Sequence, residues 1–461
     1  MSYEYKTRDV LEKIVSKPAE TLNTFAEGTQ KITEAITHQK PLKGAKDFWH
    51  GLGPGLTTGA SDDDPAGILT YSQTGAQYGT NFLWLAAFTF PLMGIIQEMC
   101  ARLGLVTGRG LAGNIRRHYS RRVLLICCSL LFAANVFNIG ADLGAMAQGV
   151  RLLIPQADTA VLVIVFALGT LLMQIFINYA KYAKHLKYLA LVLLAYIFTA
   201  FAIKDFPWGE VLRRSITPSM SFGKDQILLI CAILGTTISP YLFFWQTSQE
   251  VEEEIAEGNV TIVSRQGTNH KEIKRMRSDV WSGMLLSNLV MFFIIAVCAM
   301  TLYSHGITNI QSASDAASAL RPLAGNGAYW LFAIGIIGTG LLGVPVLAGS
   351  SAYAISESFG WRAGLFYKLK HASAFYGVII ISMLVGLAMN FIGLDPIKAL
   401  IYSAVINGII APIILVLILG LSSNQKIMGE WANGGTVKML GWLTVIVMTI
   451  SGIAAIVSLF V

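Results

Sequence analysis

The 461-residue chain is short of charge: Asp, Glu, Lys and Arg make up 13% of it, about half the share usual in a soluble domain. It carries five cysteines (Cys100, Cys127, Cys128, Cys231 and Cys298) with no CxxC spacing. That excludes a zinc ribbon or a disulfide framework, and their apolar surroundings make them small buried hydrophobes. No nucleophile–base motif and no phosphate-binding loop is present, so nothing supports an enzyme or a bound cofactor. The net charge of +7 is not gathered into one basic face, which excludes an ordinary nucleic-acid site. What abounds is hydrophobicity, with 54% apolar residues and a mean hydropathy of +0.58. The chain reads as an integral membrane protein whose first partner is the lipid bilayer.

A helix needs about 20 apolar residues to cross the hydrocarbon core. Eleven segments qualify, at 51–75, 81–106, 123–153, 158–179, 185–204, 225–254, 279–304, 327–357, 372–393, 395–420 and 437–461. The first and sixth do so only when interruptions are tolerated. "GLDP" at 393–396 reads as a tight turn, with Pro396 opening the next helix. Residues 1–48 are polar and Lys-rich, and read as a cytosolic extension with helical character and no cleavable signal. Residues 49–461 then form one transmembrane domain, with spans 1–5 at 51–204, spans 6–10 at 225–420 and span 11 at 437–461.

Loop charge sets the orientation. Arg109, Arg116, Arg117, Arg121 and Arg122 follow span 2. Lys181, Lys184 and Lys187 follow span 4; Lys271, Lys274, Arg275 and Arg277 precede span 7; Arg362, Lys368 and Lys370 precede span 9. The positive-inside rule places these loops and the amino terminus in the cytosol, and the carboxyl terminus on the extracellular or periplasmic side. The loop 204–224, with Lys204, Arg213, Arg214 and Lys224, does not fit so cleanly. A multi-pass protein of a prokaryotic plasma membrane is expected.

Two stretches break the apolar pattern. "TTGASDDDPAGILTY" (57–71) sets Asp62, Asp63 and Asp64 before a proline, where ionised carboxylates are costly and a helix is disturbed. "LGTTISPYLFFWQ" (234–246) interrupts span 6 with Gly235, two threonines, Ser239 and Pro240. Each proline alone would read as a kink. Paired five spans apart, with acids beside one, they read as two inverted repeats with a substrate site where the broken helices meet. Unwound backbone persists in a membrane only where protein or a wet cavity surrounds it.

"GPGLTTGASDDDPAG" resembles the first-span motif of the NRAMP divalent-metal transporters, Asp-Pro-Gly-Asn after a Gly-Pro-Gly lead. "GTTISPYLFFWQ" resembles their sixth-span motif around Met-Pro-His. The departures resemble a branch of that family, the NRAMP-related magnesium transporters. The resemblance implies an all-α, LeuT-type inverted repeat of 5+5 spans plus one carboxyl-terminal span, with the metal between spans 1 and 6. Carried over, the metal-binding aspartate is Asp64. The binding-site asparagine falls on Gly67, the methionine on Ser239, and the small residue offering a backbone carbonyl on Thr236. In span 10 a polar glutamine falls on Ala404, with Asn407 a turn further on.

Losing a thioether leaves oxygen donors, which suit magnesium, calcium and manganese. Losing the asparagine leaves room for water, and magnesium keeps several waters and binds through one or two carboxylates. The expected substrate is therefore Mg2+, with Mn2+ passing too. Asp64 stands where a cap of the restarted helix would, before Pro65. Capping explains one aspartate but not three. Asp63 is read as a second ligand, direct or through water, and Asp62 as part of a cation-attracting vestibule. Asp142 in span 3 aligns with an acidic family position and serves either a cation or proton path or a buried hydrogen bond. The family's two sixth-span histidines fall on Tyr241 and Gln246, its span-3 glutamates on Asn135 and Ala145, and all seven histidines lie outside the membrane interior. Neither Tyr241 nor Gln246 readily exchanges a proton near neutrality. Uptake uncoupled from protons is expected. The rivals are a proton-coupled manganese or iron importer, a divalent-cation channel and an amino-acid transporter of the same fold. Glu98–Arg102 is expected to be an interfacial ion pair, "EVEEEIAEG" (250–258) a solvated helix end, and Trp84, Trp281, Trp330 and Trp442 interfacial anchors.

Overall fold

Prolines punctuate the membrane helices, opening them where the missing N–H costs nothing. Pro54 opens α1 (Pro54–Asp62) and Pro65 opens α2 (Pro65–Tyr78), the two halves of the first span. In the computed structural model, residues 53–177, 193–203, 206–219, 223–308, 310, 313–393, 396–458 and 460 are described. The helices that follow are α3 (Leu83–Thr107), α4 (Leu111–His118), α5 (Arg121–Leu153), α6 (Thr159–Phe176), α7 (Leu194–Ala202) and α8 (Trp208–Arg214). The second half comprises α9 (Lys224–Thr237), α10 (Pro240–Ala256), α11 (His270–Thr301), α12 (Ala313–Phe359), α13 (Ser373–Met389) and α14 (Pro396–Ser422). A single turn, α15 (Gln425–Met428), leads to α16 (Gly435–Ser458).

Among the described residues eight helical stretches are long and apolar enough to cross a membrane, counting Pro65–Thr107 as one, and Ser373–Met389 is a shorter apolar helix. The fifth expected span is described only from Leu193. The extension 1–48, His38, His50, His185, Lys181, Lys184, Lys187, Lys204 and residues 394–395 of the "GLDP" turn lie outside the described residues.

Small residues let the broken spans touch backbone to backbone, the usual way helices associate in lipid. A Cβ on Gly59 of α1 would stand 2.2 Å from the Gly283 carbonyl oxygen of α11. One on Gly235 of α9 would stand 2.1 Å from Ala404 O of α14. Neither glycine can be exchanged without moving a helix, so the broken spans are held where alanine would hold them apart.

One expectation about polar side chains is corrected. In the acidic run, Glu250, Glu252 and Glu254 are buried rather than solvated. Glu252 accepts from Tyr353 Oη (2.7 Å), Leu365 N (2.8 Å) and Phe366 N (3.0 Å); a buried carboxylate persists where it is so paired. Glu98 and Arg102 do approach to 3.5 Å, but both are buried, and Arg277 binds Glu98 more closely at 2.9 Å. Trp281 is half-buried, its Nε1 donating to Glu98 Oε2 at 2.8 Å and its ring packing on Gly94.

Candidate metal site

Both breaks are short. Asp63 (φ −85°, ψ 50°) and the extended Asp64 (φ −66°, ψ 171°) separate α1 from α2, as a residue before proline favours. Ile238 and the extended Ser239 separate α9 from α10. At each break one helix presents its carbonyl end, which favours a cation, and the next presents its amide end.

Asp64 works on two sides. Its Oδ1 accepts from Gly67 N at 2.8 Å and so caps α2. Its Oδ2 accepts from Asn138 Nδ2 at 2.9 Å and from Tyr241 Oη at 3.3 Å, while the same Tyr241 hydroxyl lies 2.8 Å from Ser61 O. The carboxylate is buried, and its orientation is set from α2, α5 and α10 together.

Gly67, having no side chain, lets the two broken spans approach closely beside it. A methyl group there would stand 3.1 Å from Thr236 Oγ1, 3.2 Å from Asp62 O and 3.6 Å from Asp64 Oδ1. A hydroxyl, a carbonyl and a carboxylate, drawn from both broken spans, thus surround one small space. All three are hard oxygen donors. Thr236 faces this space with its side chain; its carbonyl accepts instead from Ser239 Oγ at 2.7 Å. Ser239 Oγ also reaches Gly235 O at 2.8 Å, so its hydroxyl is engaged with the carbonyls that end α9.

Other buried acids surround the break. Asp62 Oδ2 accepts from Ser287 Oγ at 2.9 Å. Among the described residues, Asp62 Oδ1 and both oxygens of Asp63 and Asp142 are buried and make no close hydrogen bond. Asp142 stands close to Asp64: a Cβ on Gly343 of α12 would be 2.9 Å from Asp64 Cβ and 3.9 Å from Asp142 Oδ2. An ionised carboxylate in such a place needs a cation or a proton. Among the described residues no three or more His, Cys, Asp and Glu side chains are grouped to hold a metal. A cation held between the breaks would draw on carbonyl and hydroxyl oxygens as well as carboxylate.

Gln246 lies further along α10, its Nε2 donating to Glu250 Oε1 at 2.8 Å. Asn407 is buried one turn beyond Ser403 on α14, its Oδ1 without a hydrogen bond among the described residues. Sequence reasoning missed Asn138, Ser403 and Ser287. Asn138 accepts from Ser403 Oγ at 2.6 Å, extending the Asp64 network into α14. A signal existed: Asn138 stands four residues before Asp142 and Ser403 four before Asn407, which places each pair on one helix face.

The acids continue toward the start of α1. Asp279 Oδ1 and Oδ2 accept from the backbone N–H groups of Gly53 (2.8 Å), Gly55 (2.7 Å) and Leu56 (3.3 Å), and cap that helix. Glu250, Glu254 and Glu272 line the adjoining crevice with it.

Comparison with known proteins matches residues 55–458 to the family described as natural resistance-associated macrophage protein-like. A divalent metal cation transporter, MntH, of Klebsiella pneumoniae is 24% identical over 406 residues, covering 87% of this chain and 92% of that protein. The fold resembles the manganese transporter of Eremococcus coleocola, with a TM-score of 0.70 at 20% identity over 92% of this chain and 89% of that one. It also resembles Mhp1, a nucleobase-cation-symport-1 family transporter, with a TM-score of 0.57 at 15% identity over 88% and 91% of the two chains. The shared architecture is the LeuT-type inverted repeat, with spans 1 and 6 broken.

Proposed function

The chain belongs to the Nramp family, and from that premise we propose that it carries divalent metal cations across a membrane by alternating access. The relatives named as divalent metal cation and manganese transporters support this reading. We further propose that the ion is Mg2+, with Mn2+ also accepted, and that it enters a prokaryotic cell across the plasma membrane. The observation that carries this is the space at Gly67, bounded by Thr236 Oγ1, Asp62 O and Asp64 Oδ1. Its donors are oxygens, and the missing side chain leaves coordination positions to water, as magnesium requires.

In this reading Asp64 is the direct ligand, and Asn138 and Tyr241 hold its second oxygen in place. Thr236 completes the site from span 6, with Asp63 as a further donor. Asp62 and Asp142 supply negative charge along the path. Amino-terminus-inside topology sets the acidic crevice at Asp279 on the cytosolic side, where it would receive the released ion. Uptake of magnesium and manganese into proteoliposomes, with Asp64→Asn as the control, tests the assignment. Uptake equal in the two proteins would remove it.

We propose that transport is electrogenic and uncoupled from protons, because span 6 offers Tyr241 and Gln246 rather than an imidazole. A second reading, proton-coupled manganese import, rests on the buried carboxylates of Asp63 and Asp142, which could accept protons. A dye reporting lumenal pH separates the two.

A further inference from the structure

On the membrane face that carries the loop between spans 2 and 3, a cavity of about 710 Å3 opens beside α4, the end of α10 and residues 360–367. Of its lining only Ser248, Val251, Glu252 and Ile255 share a helix with a break, two turns or more along α10, and the transport reading does not use it. Its size is that of a small-molecule site, about 300–1,000 Å3.

Five arginines line it, Arg109, Arg116, Arg117, Arg265 and Arg362, against two carboxylates, Glu252 and Glu357. A formal excess of three positive charges remains. The carboxylates are turned to backbone: Glu357 Oε2 accepts from Gly113 N at 2.8 Å, and Glu252 from Leu365 N and Phe366 N. Arg265 donates to the carbonyls of Asn259 (3.1 Å) and Val260 (2.7 Å). Arg116 Nη1 reaches the carbonyl of Glu357 at 3.4 Å, and a Cβ on Gly360 (φ +69°) would stand 2.1 Å from that same nitrogen. Arg117 and Arg362 are exposed and form no ion pair among the described residues. Burial first, and then Arg117, hold the Arg109 guanidinium below its ordinary value. Cations crowded in this way gain from an anion.

The surroundings say which anion. Val260 and Ile262 line the cavity and are exposed, and Val263 and Phe366 beside them are exposed as well. Apolar side chains bare next to arginines, at the end of membrane helices, suit the boundary between headgroups and acyl chains. Arginine's planar fork matches phosphate oxygens, and basic pockets between helices on the cytosolic face take lipid headgroups.

We propose that this cavity binds the phosphate of an anionic phospholipid, with Arg117 and Arg362 as its principal donors. The apolar rim receives the acyl chains. α10 runs from Pro240 beside the break to Glu252 and Ile255 in this cavity, so a bound lipid bears on the helix that carries Tyr241.

The test uses the full-length protein in nanodiscs of phosphatidylcholine alone or mixed with phosphatidylglycerol. Native mass spectrometry reads the phosphatidylglycerol retained after release from the disc. Wild type and Arg213→Gln/Arg214→Gln, which loses equal charge elsewhere, are expected to retain it alike. Arg117→Gln/Arg362→Gln is expected to bind it at least about tenfold more weakly, a loss of about 1.4 kcal/mol. Arg362→Gln alone gives a smaller loss in the same direction and serves if the double variant does not fold. Equal retention by wild type and the folded Arg117 and Arg362 variants would overturn the site. A rise in melting temperature with inorganic phosphate or ATP in phosphatidylcholine discs, with none from phosphatidylglycerol, would overturn the lipid as its source.

Discussion

Asn138 Nδ2 donates to Asp64 Oδ2 at 2.9 Å across the space between α5 and the start of α2. The bond sets the direction of the carboxylate that caps α2 and that is proposed to hold the ion. A group held behind a metal ligand typically governs about 10–100-fold in metal affinity. Asn138→Ala should therefore weaken magnesium and manganese binding by that order, without abolishing transport. Ser403→Ala, one bond further back, should cost less. Isothermal titration of purified protein checks both, and unchanged affinity in Asn138→Ala would detach Asn138 from the site.

Asp64 caps α2 and is proposed to hold the ion with the same side chain, and the two roles can be parted. Asparagine is as good a cap as aspartate, whereas alanine there costs about 1 kcal/mol. Asp64→Asn should keep the melting temperature and lose divalent uptake. Asp64→Ala should lose uptake and also melt lower. Wild-type uptake by Asp64→Asn would show that the residue only caps.

In the proposed site, Gly67 and Ser239 bear on which ion is taken. Gly67→Ala places a methyl 3.1 Å from Thr236 Oγ1 and 3.2 Å from Asp62 O, taking space from water. Magnesium, which dehydrates reluctantly, should lose more uptake than manganese. Ser239→Met restores a thioether, the softer donor, and should raise cadmium and manganese affinity relative to magnesium. Calorimetry showing no such gain means that position 239 does not reach the ion.

Coupling is read from liposomes loaded with a pH dye. Entry of Mg2+ or Mn2+ should proceed with the membrane potential, about 2.3 kcal/mol per charge per 100 mV, and leave lumenal pH unchanged. Acidification that follows metal entry at clamped potential would instead show that protons travel with it. Asp63→Asn and Asp142→Asn, made singly, would then identify which buried acid carries them.

Asp279 holds the start of α1 through three backbone N–H groups. Hydrogen bonds to a charged group contribute about 1.5–3 kcal/mol each, and losing the partner leaves buried donors bare. Asp279→Ala should lower the melting temperature, and Asp279→Asn, which keeps acceptor oxygen, should lower it less. Uptake should change along with stability if this clasp opens and closes in each cycle. A variant melting like wild type would show the clasp to be idle.

Much of this was legible along the chain because lipid leaves few options. Backbone in hydrocarbon must bond to itself, so apolar length reports helices, and Pro65 and Pro240 mark where two of them restart. Asp64 stands out because an acid before a proline in such a run needs a reason. The family resemblance of those two stretches points to the same place, and the match over residues 55–458 shows the family.

Tertiary structure alone decided the rest. Periodicity does not say which polar side chain meets which across helices, so the Asn138–Asp64 bond and its extension to Ser403 were out of reach. It decided that Thr236 offers its hydroxyl to the space at Gly67 while its carbonyl is taken by Ser239. It also turned "EVEEEIAEG" inward. Glu252 meets the amides of Leu365 and Phe366 more than a hundred residues away, and one residue's charge could not reveal that partner. Local chemistry sets where helices begin, break and cross the membrane, whereas the partners of a buried polar group are settled only when the helices pack.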